Sequence, residues 1–229
     1  MITRFGDPFL SETERHTAWG VAQLEALGSF LPEGPWTADL PSCLYRQGTL
    51  ELRVSVLGTY DTEERSWMWG WANPGLQGTE VVALSAAVER YGRAHGIAEL
   101  TAPTLDLSGF PDPRRAAETL AFAGMGVAQA PGYIGVPAGS GTQVYFLPDD
   151  PQVPQAPLDP VALPRILVAG AGLIGHSPRL AVMGFFDHHG LPVSQTGRSL
   201  TAELPGGSPV NIQFDALGRI AEVTLNSLS

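Results

Sequence analysis

The sequence predicts an α+β protein in which an antiparallel sheet is covered by helices and followed by a small module of helix and hairpin strands. The first observation is the stretch Leu50–Val56, where apolar and polar residues alternate as in a half-buried strand. The second is the segment Ser66–Asn73, in which positions 67, 69 and 71 are all tryptophan. The third is an apolar spacing of three and four residues in longer stretches, which predicts helices. Because the turns between the predicted strands are short, we expect antiparallel pairing.

The first predicted helix begins at Ser11, which stands three residues before Glu14 in the spacing of a capping box. We expect the helix to continue to about Leu27 and to end at Gly28. Its buried stripe is predicted to contain three residues, namely Trp19, Ala22 and Ala26.

The tryptophan segment is predicted to be the second strand of a hairpin. It follows Leu50–Val56 after a polar turn at 61–65. Since alternate side chains of a strand share a face, Trp67, Trp69 and Trp71 are expected to lie together on one side. The other side carries only smaller residues and methionine, which leaves room for a closely packed element.

Two further helices and two strands complete this part of the chain. The first helix is expected from Thr79 to His95, ending at Gly96. The second begins with Asp112 as the N-cap and proline at the next position, and its small residues predict close packing. The strands are predicted at Tyr133–Val136 and Thr142–Leu147.

The division of the chain is predicted from a proline-rich segment. Residues 148–164 contain six prolines in seventeen positions, which is typical of a semi-rigid linker or a surface strap. We therefore predict a domain at 1–147, a linker at 148–164 and a small module at 165–229. The strands predicted in that module are Ser199–Leu204, Val210–Phe214 and Ile220–Leu225.

Composition excludes several classes of function. All 13 basic residues are arginine, so the protein has no lysine for a Schiff base, a pyridoxal phosphate anchor or a Walker-type phosphate site. The net charge of −10 argues against nucleic-acid binding and is compatible with a basic protein partner. Cys43 is the only cysteine, which excludes an intrachain disulfide. Neither a signal peptide nor a membrane span is evident, and we expect a cytoplasmic protein.

A glycine-rich segment resembles a dinucleotide fingerprint. Gly170, Gly172 and Gly175 have the G-x-G-x-x-G spacing after an apolar run, which offers NAD(P) or FAD binding as one hypothesis. However, Ser177-Pro178 interrupts the helix that should follow, and too few residues remain for a parallel sheet. We therefore favour an apolar helix starting near 159 or 160, followed by a second helix capped by Ser177, and expect no cofactor.

No other group of residues predicts a catalytic or metal site. Asp187-His188-His189 is adjacent in sequence, but neighbouring helical residues point about 100° apart and would not converge on one ion. We interpret these histidines as a solvated helix end. Cys43 is expected to be a buried, unreactive thiol. The carboxylates, Glu118 among them, show no spacing that would pair two of them.

The tryptophan face permits two interpretations. Trp67, Trp69 and Trp71 could form a flat platform for a sugar or another small molecule, with Asn73 as a polar handle. Alternatively, the three rings fill the space between the sheet and its helices. We favour interior packing, because periodic helices flank this strand on both sides.

The segment from Trp67 to Asn73, Trp-x-Trp-x-Trp-Ala-Asn, resembles an uncharacterised bacterial domain family that is known only as a domain of unknown function. The preceding Leu57-Gly58-Thr59-Tyr60 and the later Ala98-Glu99-Leu100-Thr101 support the resemblance, which covers about residues 12–147. The family has no established catalytic residues, so the resemblance implies a fold and no reaction.

From these observations we expect a non-enzymatic protein that binds another protein. The most concrete form is an immunity or antitoxin-like role against a basic toxin, which the acidic charge suggests. Binding of a small molecule or carbohydrate by the tryptophan face is the first alternative. A nucleotide-dependent enzyme that uses Gly170–Gly175 is the second.

Overall fold

A computed structural model describes residues 2–225, which form two compact units. The first unit contains the residues up to Phe9 together with Gln23–Gln155. The second contains Leu10–Ala22 together with the residues from Ala156 onward. The chain thus passes between the units near Gln155, within the predicted linker at 148–164. It also passes between them within its first helix, a crossing that the predicted division did not include. Whether 1–147 and 165–229 are independent domains stays a prediction.

The first helix, α1 (Asp7–Phe30), is longer than predicted at both ends. It begins with Gly6 as the N-cap and Pro8 in its first turn, so Ser11 lies inside the helix and the predicted capping box is wrong. The helix also continues past Gly28, because only Leu31 leaves the helical conformation. Trp19 is buried as predicted, whereas the predicted Ala22 and Ala26 are only half-buried.

The first unit is built on a seven-stranded antiparallel sheet. The sheet path runs β1-β2-β3-β4-β5, while β7 pairs with β3 and β6 pairs with β7. The strands are β1 (Trp36–Asp39), β2 (Leu44–Gln47), β3 (Leu50–Asp61), β4 (Ser66–Trp69), β5 (Thr104–Asp106), β6 (Ile134–Pro137) and β7 (Thr142–Pro148). The predicted strands at β3, β6 and β7 are confirmed, and the α+β class with them. The short strands β1 and β5 were not predicted.

The predicted hairpin of β3 and β4 is confirmed, with Tyr60 opposite Trp67 in its register. However, β4 ends at Trp69, and Gly70–Ala72 forms a turn of 3₁₀-helix. A Cβ at Gly70 would overlap the carbonyl oxygen of Val56, so two backbones touch where only glycine fits. Because the strand stops here, Trp71 does not continue the alternation, and the predicted face of three tryptophans is wrong.

The predicted helices of the first unit are confirmed. The helix α2 (Ala83–His95) follows a 3₁₀ turn and ends at Gly96, whose φ of 67° is left-handed. The short α3 (Ala98–Thr101) was not predicted. The helix α4 (Pro113–Ala128) begins where the Asp112 side chain accepts a 3.0 Å hydrogen bond from the Arg115 amide.

Besides its part of α1, the second unit contains two helices and a four-stranded antiparallel sheet within the residues described up to 225. The helices are α5 (Leu163–Leu173) and α6 (Pro178–His188), and the strands are β8 (Val193–Thr196), β9 (Ser199–Glu203), β10 (Pro209–Phe214) and β11 (Ile220–Leu225). The sheet order is β11-β10-β9-β8, and only β8 was not predicted. The glycine-rich segment is helical from Leu163, as favoured above, so no strand precedes Gly170.

The start of the proline-rich segment lies along the first unit as a strap. The Asp150 carboxylate accepts a 2.9 Å hydrogen bond from the Arg53 amide, and the Asp149 amide donates to the Arg53 carbonyl. The Gln152 side chain reaches the carbonyl of Glu51 at 3.2 Å, and Val153 is buried. These contacts extend the β3 pairing beyond the end of β7.

No helix within residues 2–225 has both the length and the apolar character that crossing a bilayer requires.

Candidate functional site

An open cleft of about 700 Å³ lies in the first unit. Its walls come from β1, β3 and β7, from Ala138 just after β6, and from the segment that follows the 3₁₀ turn. The apolar lining includes Trp36, Leu40, Val56, Leu76, Val144 and Phe146. Ligand cavities in proteins commonly have volumes of about 300–1,000 Å³ and mostly apolar walls. The cleft therefore has the size and lining of a small-molecule site.

One wall of the cleft is aromatic. The rings of Trp36 and Phe146 meet edge to face, with centroids 6.3 Å apart and an angle of 65°. Trp36 also stacks on Tyr45 at 6.0 Å. Phe146 and Tyr45 are buried, while Trp36 is half-buried and remains partly open to the cleft. The core thus holds the Trp36 ring from behind and leaves part of its surface for a bound molecule.

Hydrogen bonds hold the segment that begins at Asn73 and lines part of the cleft. Asn73 Oδ1 accepts a 2.9 Å hydrogen bond from the amide of Gly75, and the Asn73 carbonyl accepts from Leu76 and Gln77. The Thr79 hydroxyl donates to the carbonyl of Leu76 at 2.6 Å and fixes the end of the segment. With its oxygen engaged, the Asn73 side chain has two Nδ2–H donors that meet no partner among residues 2–225.

Among residues 2–225, no ionisable side chain lines the cleft. Besides Asn73, its polar side chains are the hydroxyls of Thr37 and Thr59. Such a surface can bind by apolar contact and by neutral hydrogen bonds, but it offers no acid, base or charged partner to a ligand.

The structure separates the four residues of the alternative interpretation, in which the tryptophan face binds a ligand. Trp67 and Trp69 are 0 % exposed, and their rings meet at 79° with centroids 5.2 Å apart, so they are neither coplanar nor open to a ligand. Trp69 Nε1 donates to the Glu99 carbonyl at 2.9 Å. Trp71 is half-buried in the 3₁₀ turn. Asn73 alone among the four lines the cleft.

The three glycines of the predicted fingerprint have different surroundings. Gly170 faces α1, where a Cβ would overlap the backbone of Ala18. Gly172 has nothing near it, and Gly175 takes a φ of 74° after the end of α5. A dinucleotide fingerprint requires a strand before the first glycine and a helix that continues through the third, and neither is present here.

Histidines that are distant in sequence meet in the second unit. His16 Nδ1 lies 2.9 Å from His188 Nε2, and His16 Nε2 lies 3.2 Å from a Glu12 carboxylate oxygen. Since a carboxylate only accepts, neutral His16 carries its proton on Nε2, and His188 donates from its own Nε2. The His188 ring stacks on Trp19 at 4.0 Å with an angle of 5°.

The interpretation of His188 as part of a solvated helix end is therefore wrong. Burial, with the neighbouring His16 adding to it, lowers the pKa of His188 from 6.5 to about 4. No pattern in the sequence indicates this pair, because 172 positions separate its members. Among residues 2–225, no three side chains of histidine, cysteine, aspartate or glutamate are grouped to hold a metal ion.

A buried carboxylate, that of Glu14, lies on α1, the helix that also carries His16. Glu14 is 0 % exposed, and one of its oxygens accepts from the amide of His176 at 3.1 Å. Its Oε1 has no hydrogen-bond partner among residues 2–225. Burial raises the pKa of Glu14 above the usual carboxyl range.

Two side chains of the first unit have simpler roles. Glu118 accepts hydrogen bonds from the hydroxyls of Tyr133 at 2.7 Å and Tyr145 at 2.9 Å. Burial, followed by the charge of Glu118, raises the pKa of both tyrosines well above their ordinary value. Cys43 is buried as predicted, and burial raises the pKa of its thiol. Both arrangements favour unreactive, structural side chains.

Of the comparisons with known proteins, one finds a match, to a family model. No curated protein and no solved structure matches the chain significantly. A model for a family of unknown function, DUF6882, matches residues 11–151, and every residue that lines the cleft falls in this range. The match covers more than half of the chain and confirms the predicted resemblance to a domain family of unknown function. The chain therefore belongs to the DUF6882 family.

Proposed function

We propose that the first unit binds a small, mostly apolar molecule in the cleft described above. The observation that carries this proposal is the combination of size and lining. A volume of about 700 Å³ accommodates a ligand of many atoms, and its walls are aromatic and aliphatic with three polar side chains, of which Asn73 is held by a hydrogen bond. This surface differs from the tryptophan platform that the sequence offers as an alternative, and Asn73 is the one residue common to both.

The support of the walls favours binding over a packing defect. Val56 and Phe146 are 1 % exposed, and they belong to the hydrophobic core that continues behind the cleft. Leu40, Leu76 and Trp36 pack against that core and remain partly accessible. A preformed apolar surface of this kind loses little conformational freedom when a ligand arrives, and the contact removes apolar area from water.

The test fills the cleft with a side chain. We expect wild-type protein to bind the neutral dye N-phenyl-1-naphthylamine at one saturable site, with a rise in dye fluorescence. Ala38 lies on β1 in the lining, and Ala38→Trp should weaken dye binding at least tenfold because the indole takes the ligand's space. Ala138→Trp, at the exposed rim, should give a smaller loss in the same direction and serves if the first variant does not fold.

The matched control is Ala216→Trp, which makes the same substitution at an exposed turn of the second unit. It should bind the dye as wild type does, and circular dichroism should show all the variants folded. Absence of saturable binding to the wild type would overturn the proposal. Equal binding by wild type and both cleft variants would do the same.

The acidic surface supports a second proposal, in which a basic protein binds at the β3–β4 turn. Asp61, Glu63 and Glu64 lie within four positions, and none of the three forms an ion pair with any residue in the described range 2–225. The Asp61 carboxylate instead accepts from the amides of Glu63 and Glu64 at 2.9 and 2.8 Å, which fixes the turn. Unpaired carboxylates beside one another attract a cationic surface and speed its association.

This second proposal predicts a salt-sensitive complex. Immobilised protein should retain a basic protein from the cytosol of its own cell at low salt and release it as salt rises. The double variant Glu63→Gln/Glu64→Gln should lose that protein, whereas Glu203→Gln/Glu222→Gln, with the same change of charge on exposed positions of the second unit, should retain it. If both double variants capture the same proteins as wild type, the turn is not the binding surface.

A further inference from the structure

We infer that the cleft selects an uncharged, planar aromatic molecule whose rim carries a hydrogen-bond acceptor, an inference that rests on the proposed function of the cleft. It names the chemical class of the ligand from three properties of the lining. These are the absence of charge, the presented aromatic ring and the free donors of the one carboxamide in the lining.

The absence of charge excludes ionic ligands. No arginine, histidine, aspartate or glutamate lines the cleft, and the polar side chains there are two hydroxyls and one carboxamide. An ion that leaves water for such a surface loses its hydration and gains no counter-charge, which is strongly unfavourable. The net charge of −10 adds a repulsion for anions before they reach the cleft.

The aromatic wall favours a flat ligand. Trp36 packs against Tyr45 and Phe146, at 6.0 Å and 6.3 Å between ring centroids, and those two rings contact each other at 5.7 Å. Its accessible part therefore presents a fixed surface. Aromatic pairs in stacked or edge-to-face geometry contribute about 0.5–1.5 kcal/mol beyond the area they bury, which an aliphatic ligand would not gain.

Asn73 supplies the direction of the hydrogen bond. Its Oδ1 is already engaged by the Gly75 amide, so the group left for a ligand is the Nδ2 donor pair. The surrounding turn is fixed by the bonds from Leu76 and Gln77 to the Asn73 carbonyl. A donor that is oriented before binding costs little to use, and it distinguishes a ligand with a carbonyl from one of equal shape without it.

The test uses four probes of nearly equal shape, each competing with N-phenyl-1-naphthylamine for the wild-type protein. These are 2-acetylnaphthalene, with a neutral carbonyl, 2-isopropylnaphthalene, with no acceptor, the anion 2-naphthoate and the cation 2-naphthamidinium. We expect the ketone to bind at least fivefold more tightly than the hydrocarbon and at least thirtyfold more tightly than either ion.

The outcomes separate this inference from the proposed function. If no probe binds and the dye does not bind, the cleft is not a ligand site and both fail. If the hydrocarbon or an ion binds as tightly as the ketone, the cleft still binds small molecules and only the inferred ligand class is wrong.

The variant Asn73→Asp tests the role of the carboxamide directly. Aspartate keeps the oxygen that accepts from Gly75 and removes the Nδ2 donors, so the turn is preserved. We expect the preference for ketone over hydrocarbon to fall to about one, while 2-naphthamidinium gains affinity from the new negative charge. The ratio of two affinities is unaffected by a general loosening of the cleft. If the ratio of ketone affinity to hydrocarbon affinity is unchanged in a folded variant, Asn73 does not recognise the acceptor of the ligand.

Discussion

Replacing Gly170 by alanine should destabilise the second unit by about 3 kcal/mol, the cost of forcing a methyl group into a closely packed contact. At Gly170 the backbone of α5 meets the backbone of α1, and a Cβ would overlap Ala18. The atoms of Ala18 that the new methyl group would meet are its backbone and Cβ, which cannot swing away as a long side chain can. The overlap can therefore be removed only if the two helices move apart. Buried neighbours such as Leu167 would then lose contact as well.

Gly172→Ala is the matched control, because it makes the same change two positions later in the same helix. Nothing lies within 4 Å of a Cβ there. The substitution should stabilise the protein by about 0.5–1 kcal/mol, since alanine restricts the unfolded chain and favours a helix. Urea unfolding followed by circular dichroism measures both changes.

The pair of variants also distinguishes the two interpretations of the glycine motif. In a dinucleotide site, the second glycine admits the pyrophosphate, and alanine there would interfere with a ligand. In the helix seen here, position 172 is open and position 170 is the sensitive one. Equal effects of the two substitutions would contradict the helix contact.

Acidification should weaken the second unit through His188. Its pKa in the folded protein is about 4, below the ordinary 6.5, because burial disfavours the imidazolium. Above pH 6.5 the ring is neutral in both states and its full contribution to stability is present. As the pH falls from 6.5 to 4, the unfolded chain takes up the proton first, so up to about 3 kcal/mol of stability is lost.

The neighbouring groups determine how the effect is measured. Burial also lowers the pKa of His189, which acts in the same direction, whereas the raised pKa of Glu14 acts in the opposite direction. The Glu12 carboxylate favours the charged form of His188 and moderates its shift. A single pH profile therefore sums several groups, and only a difference between variants isolates His188.

His188→Gln provides that difference. Glutamine can still donate to His16 Nδ1 but does not titrate. Denaturant unfolding at pH 7.5, 6 and 5 should show wild type losing stability more steeply than the variant, even if the variant starts lower for lack of the Trp19 stack. Parallel pH profiles would mean that His188 is not the group responsible.

The sequence predicts those elements whose signal is local. The pair Asp112-Pro113 fixes the start of α4, because both residues act on the first helical turn. The period-two pattern identifies β3 over enough residues to be clear. By contrast, β1 and β2 have four residues each, too few for a periodicity to show beside the prolines and turns around them.

The cleft could not be predicted from the sequence for a related reason. Its wall joins Trp36 on β1 with Phe146 on β7, which are 110 positions apart and come together only through the pairing of the sheet. Asn73 was identified from its place beside the tryptophans. Its position at the cleft, however, depends on the 3₁₀ turn at Gly70, where backbone contact overrides the alternation expected of a strand.

The shared helix α1 limits how this protein can be divided for study. A fragment that stops after Gln155 would keep Leu10–Ala22 but lack both α5 and α6. Trp19 and Ala18, now covered, would then face water on an otherwise intact helix, and the fragment would tend to aggregate. Removing residues 1–22 as well would take away Phe9, which is fully buried in the first unit. Neither of these two fragments is therefore suitable for study, and binding is best measured on the whole polypeptide.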